Sequence, residues 1–139
     1  MSAIAAIVIN DGLATPVAHT FAPAKSDSDY SLHEDRSSGI YVGFNKLTLN
    51  LTRPSGKPGA GRNLKLSIRI ETPKLETLAT GSSGFTPAPT VSYRPQAEIT
   101  FTFPERCSLQ DRKDLQAYVK NLMSHQVVTD AVGNYELPY

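Results

Sequence analysis

The chain has 139 residues, 40% hydrophobic and 19% charged, with 14 Lys and Arg against 13 Asp and Glu. That length makes one domain, able to bury roughly two-thirds of its unfolded surface, and the apolar content excludes a mainly disordered chain. The longest apolar run, Ile4 to Ile9, is far below the roughly 20 residues of a membrane span, and no basic segment precedes it, so a secretory signal is not expected.

The first element is a hairpin over residues 1–22. Apolar runs Ile4 to Asn10 and Thr15 to Phe21 flank Asn10-Asp11-Gly12, and an Asp-Gly pair between such runs predicts a tight turn with positive φ. Residues 22–39 are polar and irregular, with a short strand near Tyr30 to His33. A sheet is then expected over 30–103. In Lys46 to Thr52 and in Lys65 to Glu71 polar and apolar residues alternate without a break. Strand geometry sends neighbours to opposite faces, so Leu47, Leu49, Leu51, Leu66, Ile68 and Ile70 share a buried face. The opposite face displays Lys46, Thr48, Asn50 and Thr52 beside Lys65, Ser67, Arg69 and Glu71.

Between these strands lies a flexible basic loop, Pro54 to Gly61. Residues 75–92, rich in Gly, Ser, Thr and Pro with Gly81-Ser82-Ser83-Gly84 at the tip, form a loop longer than compact domains usually carry. The alternation returns in Gln96 to Phe103, with Ile99, Phe101 and Phe103 on the core face.

From Ser108 the period changes to helical. Ser108 is a plausible N-cap, with Asp111 three residues on. Leu115, Tyr118, Val119, Leu122 and Met123 recur on one face, and a second, shorter helix covers Val127 to Val132, ending at Gly133. The two helices occupy 108–133. Strands first and helices last give an α+β fold, with the helices against one side of an antiparallel sheet. A sheet with one bare polar face and two helices buries too little in one chain, and dimerisation across the helices is the natural remedy.

Charge is unevenly spread. Arg36 to Ile70 holds seven basic residues and no Asp or Glu, leaving seven bases against thirteen acids elsewhere. A basic middle with an acidic periphery points to a polyanion-facing surface. Signs of catalysis are lacking. His19, His33 and His125 are scattered without metal-ligand spacing, and Gly59-Ala60-Gly61 lacks the strand–loop–helix context of a phosphate loop. The lone Cys107 excludes a disulfide framework and reads as a packed structural thiol. No cofactor or metal is expected, and no enzyme.

These segments together resemble the coat proteins of single-stranded RNA bacteriophages, the levivirus group, and most of all its Q-beta type. The likeness rests on Gln96 to Phe103, on Thr129-Asp130-Ala131-Val132 and Pro138-Tyr139, on Lys46 to Ser55 and on Lys65 to Pro73. It covers residues 44–139 well and is carried by order, spacing and length acting together, while 1–35 agree in hairpin character. It implies an N-terminal β-hairpin, an antiparallel β-sheet and two C-terminal helices interlocked with a second subunit. The interface would be formed by Leu115, Tyr118, Val119, Leu122 and Met123.

The resemblance further implies an obligate dimer that assembles into a T=3 icosahedral shell around genomic RNA in the host cytoplasm, and then resides in the virion. The same sheet would bind an operator hairpin and repress translation of the replicase. Carried over position by position, Thr48, Asn50, Ser67 and Arg69 form a base pocket, Lys46 and Lys65 contact phosphates, and Arg53 and Arg62 extend the basic surface. Gln96 stands where the family carries a stacking tyrosine. Glu98 stands where the Q-beta type has Asp, placed to accept a hydrogen bond from a base, and Tyr93 falls by strand parity on the other face. The 75–92 loop lacks the cysteines of that type, which implies shells without disulfides in this loop. The alternative from another class is a dimeric, non-capsid RNA- or glycan-binding β-module, distinguished by its failure to form particles.

Overall fold

The computed structural model describes residues 4–59 and 61–138; Ala60 of the basic loop and the terminal Tyr139 lie outside them. The chain divides into two compact units, one of residues 1–56 and 63–102, the other of residues 57–62 and 103–139.

The first unit is built on an antiparallel sheet of strands β1 (Ile7–Asn10), β2 (Ala18–Ser26), β3 (Tyr30–Asp35), β4 (Asn45–Thr52), β5 (Asn63–Glu71) and β8 (Gln96–Pro104), in the spatial order β1-β2-β3-β4-β5-β8. The last two residues of β8 belong to the second unit. A separate two-stranded ribbon, β6 (Lys74–Glu76) with β7 (Thr90–Tyr93), closes the base of the expected 75–92 loop. At its tip Gly84 donates from its amide to the carbonyl of Gly81 at 2.9 Å.

The alternating strands pair as their period requires. Across β4 and β5, Leu47 faces Ile70, Leu49 faces Ile68 and Leu51 faces Leu66. Among the described residues Leu47, Phe21 and Phe101 are the buried apolar side chains, and the rest of that face is half-buried. A sheet with one covered face needs this arrangement, because a one-residue slip would send every leucine to water.

The hairpin departs from the expected tight turn. The strands stop at Asn10 and resume at Ala18, leaving residues 11–17 as a wider loop. Its organiser is the Asp11 side chain, whose Oδ1 accepts from the amides of Leu13 and Val17 at 3.2 and 3.0 Å. A carboxylate that satisfies two backbone donors offers the chain an alternative to a two-residue turn, and Gly12 has no positive φ. β2 continues beyond the expected hairpin through Pro23, with a register shift between Pro23 and Lys25. Such irregularities accommodate a residue that cannot donate to a ladder.

In the second unit, helix α1 (Leu109–Met123) begins as expected. Ser108 caps the Asp111 amide at 3.1 Å, and the Asp111 carboxylate accepts from the Ser108 amide at 3.1 Å. This hydroxyl and amide hold the Asp111 carboxyl below its usual range. Helix α2 (Gln126–Asn134) runs past Gly133, and its left-handed C-cap is Tyr135 at φ 58°. Neither helix contains a buried residue.

Candidate nucleic-acid interface

The register of three strands defines one polar face. Lys46 stands opposite Glu71, Thr48 opposite Arg69, Asn50 opposite Ser67 and Thr52 opposite Lys65. On the other flank, Tyr30 pairs with Asn50, Leu32 with Thr48 and Glu34 with Lys46. Directly opposed residues share a face, so the six residues expected to form a pocket and its phosphate contacts do lie together. Asn50, Lys65 and Arg69 are exposed, and Lys46, Thr48 and Ser67 are half-exposed.

Arg69 is held rather than free. Its Nη2 donates to Oε1 of Gln96 at 2.6 Å and to Oε1 of Glu71 at 2.7 Å. Gln96, on the neighbouring strand β8, therefore fixes the guanidinium on this face. Glu98, two residues along β8, has the strand parity of Gln96 and is exposed. Tyr93 is elsewhere: it ends β7 on the ribbon, opposite Lys74.

The acid-free stretch proves less basic in space than in sequence. Arg36 Nε is 3.6 Å from a Glu34 carboxylate oxygen, and Arg53 Nε donates to Asp29 at 2.7 Å. Arg62 lies in the second unit, where its guanidinium grips Glu105, Nε reaching Oε2 at 3.1 Å, and its carbonyl accepts from the Glu105 amide at 3.0 Å. Through the side-chain hydrogen bond between them the Arg62 pKa rises further and the Glu105 carboxyl is held below its usual range. Each of these arginines finds an acid from outside the basic stretch. Among the described residues, Lys46, Lys57 and Lys65 make no ion pair, and they are its available cations.

Two lysine–tyrosine contacts belong to the polar face and carry no signal in sequence spacing. Lys46 Nζ sits 4.4 Å from the ring centroid of Tyr41 and 3.3 Å from its hydroxyl oxygen. Lys25 Nζ sits 5.4 Å from the ring centroid of Tyr30, and it also meets Asp27 at 3.3 Å. Only the register of β3 on β4 places Tyr30 beside Asn50.

Other chemistry has no counterpart on this face. Among the described residues no group of His, Cys, Asp and Glu is arranged to hold a metal ion, and no buried side-chain nitrogen or oxygen lacks a partner. Cys107 is free and half-buried. Among the described residues no helix is long and apolar enough to cross a membrane. A cavity of about 500 Å³ on the opposite, apolar side is lined by Ile9, Leu13, Phe21 and Ile70, with His19 and Lys74 at polar positions.

A six-stranded antiparallel sheet followed by two C-terminal helices is the architecture of RNA phage coat proteins. Residues 2–139 match the family described as levivirus coat protein. The chain belongs to that family: it is a structural coat protein and not an enzyme. Among solved structures it is similar to the virus-like particle of bacteriophage ESE058, with 32% identity, 99% of this chain and 100% of that chain covered, and a TM-score of 0.91. It is similar also to the virus-like particle of bacteriophage NT-214, with 33% identity, coverage of 99% and 100%, and a TM-score of 0.84. An unassembled bacteriophage coat protein dimer described as RNA-binding shares the fold at 18% identity, with 98% of each chain covered and a TM-score of 0.65. No curated protein matches the chain.

Proposed function

We propose that this coat protein forms an obligate dimer, assembles into an icosahedral shell of T=3 type around single-stranded genomic RNA, and acts as translational repressor by binding a replicase operator hairpin. Assembly would take place in the bacterial cytoplasm, with residues 1–139 acting as one coat domain. The observation that carries the reading is the single polar face on which Lys46, Thr48, Asn50, Lys65, Ser67 and Arg69 are brought into register. Hydroxyls and an amide suit the edges of splayed bases, and lysines supply salt-dependent attraction to phosphates.

Dimerisation is supported by the helices. Tyr118 is 70% exposed in the single chain, and Leu115, Leu122 and Met123 are exposed too, with Val119 half-exposed. Apolar area of this kind is what an interleaved partner would cover, and obligate interfaces commonly bury about 2,000–5,000 Å². The particles formed by the ESE058 and NT-214 relatives support assembly.

The test is expression of the chain alone, followed by size exclusion and imaging of the void-volume fraction with its absorbance ratio at 260 and 280 nm. Regular particles with nucleic-acid absorbance are expected. A discrete small dimer free of nucleic acid would overturn shell formation and packaging together. Empty particles would retain the shell and remove the role of the polar face in packaging.

A further inference from the structure

We propose that Tyr30 and Tyr41 are two base-stacking platforms for single-stranded RNA, one near each end of the polar face. The inference rests on the proposal that this face binds RNA, and it adds residues that neither the alternating pattern nor the charge distribution singles out.

Tyr41 is the stronger of the two. It opens a short 3₁₀ turn, Tyr41–Gly43, that leads into β4, and its side chain is 62% exposed although Phe44 meets it edge-on at 5.6 Å and 65°. The Phe44 contact and the Lys46 ammonium at 4.4 Å fix the ring while leaving most of it in water. A large aromatic ring pinned yet exposed loses little freedom when a base stacks on it. Lys46 is a cation at hand for the adjoining phosphate. Its two cross-strand acidic neighbours are engaged elsewhere, Glu34 with Arg36 and Glu71 with Arg69.

Tyr30 repeats the arrangement at the other end. It opens β3, stands opposite Asn50 and is half-exposed. Lys25 over its ring belongs to the same face, because Lys25 pairs with Leu32, two residues on. Lys25 shares its charge with Asp27, so this platform offers a ring more than a cation. Lys46 and Asn50, which mark the two ends, are four strand residues apart, or about 13 Å. That is the length of about four bases stacked at 3.4 Å, so a short unpaired stretch reaches both rings across Thr48 and Asn50. Base–aromatic stacking serves any base, because every base has a π-face.

The experiment uses purified particles of the full chain and, separately, soluble dimer titrated with a fluorescein-labelled ten-nucleotide single-stranded RNA. Ultraviolet irradiation of the particles followed by peptide mass spectrometry should place nucleotide adducts on Tyr30 and Tyr41. The chain has six tyrosines and no tryptophan, so the tyrosine quenching by the unlabelled ten-mer that is lost in each Leu variant reads the same contact. Replacing either tyrosine by Leu should weaken the labelled ten-mer about tenfold. Tyr30→Phe and Tyr41→Phe should stay within about twofold, because the ring remains. Particles that hold RNA but show no adduct at either tyrosine, or Leu variants that bind as tightly as the parent, would overturn this inference and leave the packaging function standing. Failure of the parent chain to bind the ten-mer or to retain RNA would overturn the RNA-binding reading itself. Should a Leu variant fail to fold, the adduct map still decides.

Discussion

The imidazole of His19, on β2, lies with Nδ1 2.9 Å from the buried carboxylate of Asp35, at the end of β3. Its other nitrogen, Nε2, is 3.2 Å from Asp11 Oδ2 in the hairpin loop. A neutral imidazole has one donor, whereas two carboxylates require two, so the cationic form fits this geometry. Asp11 and then Asp35 raise the His19 pKa above its ordinary 6.5 through these hydrogen bonds. The amide of Val17 leads the causes that lower Asp11. Burial pushes Asp35 upward, but hydrogen bonds from Ser37 and His19 outweigh it, and the net shift is downward.

A pH window for the hairpin follows. The stabilisation from His19 is fully present below 6.5, its unfolded value, and is lost as pH rises through its higher folded pKa. The carboxylate contributions run the other way, present above 3.8 and lost as pH falls through the lowered folded values. Thermal unfolding against pH should show a plateau between these limits, and His19→Gln should flatten its alkaline side. Proton NMR titration of His19 should give a midpoint above 6.5; a midpoint at or below that value would contradict the double ion pair.

Binding should separate Lys65 from Arg62, although both lie in the same basic stretch. Lys65 is exposed on the polar face, while Arg62 is committed to Glu105. Lys65→Ala should weaken RNA binding and reduce the slope of log affinity against log salt by about 0.7 for a single strand. Arg62→Ala should leave the slope nearly unchanged and lower thermal stability instead. Equal slopes for the two variants would mean that Lys65 meets no phosphate.

What was legible in the sequence divides along physical lines. Leu47, Leu49 and Leu51 announce their strand because period two is a property of the chain itself, and the cap formed by Ser108 and Asp111 is equally local. Partners distant in sequence left no such trace. Asp29 lies 24 residues before Arg53, and Glu105 lies 43 after Arg62, so the basic stretch read as more exposed than it is. The ribbon strands are three and four residues long, too short for alternation to register. The place of Tyr30 on the polar face was visible only after β3 had been set against β4.

Gly43 illustrates a constraint of the same non-local kind. It is buried, and a Cβ built there would come within 2.6 Å of Leu75 Cδ1 and 2.9 Å of its Cγ. The turn that carries Tyr41 thus packs against β6 at a point where no side chain fits. Gly43→Ala should destabilise by about 1–3 kcal/mol, the usual range for overpacking. Combining it with Leu75→Ala should cost less than the sum of the two single changes, because the second vacates the space the first needs. Denaturant unfolding of the three variants measures that coupling, and strict additivity would show that the contact does not set the requirement for glycine.

Leu122 gives the sharpest test of the dimer. It lies on α1, 51% exposed, on the face it shares with Leu115, Tyr118 and Val119. In an isolated chain a lysine there would be harmless, since a long charged side chain at an exposed helical position reaches water at little cost. In an interleaved dimer the same side chain would enter the partner's apolar core, where an unpaired charge is strongly disfavoured. Leu122→Lys should therefore abolish soluble dimer and particles alike, while Leu122→Met, which preserves volume and polarity, should retain both. Light scattering after size exclusion reads the outcome, and a normal dimer mass for Leu122→Lys would place the interface away from this helix face.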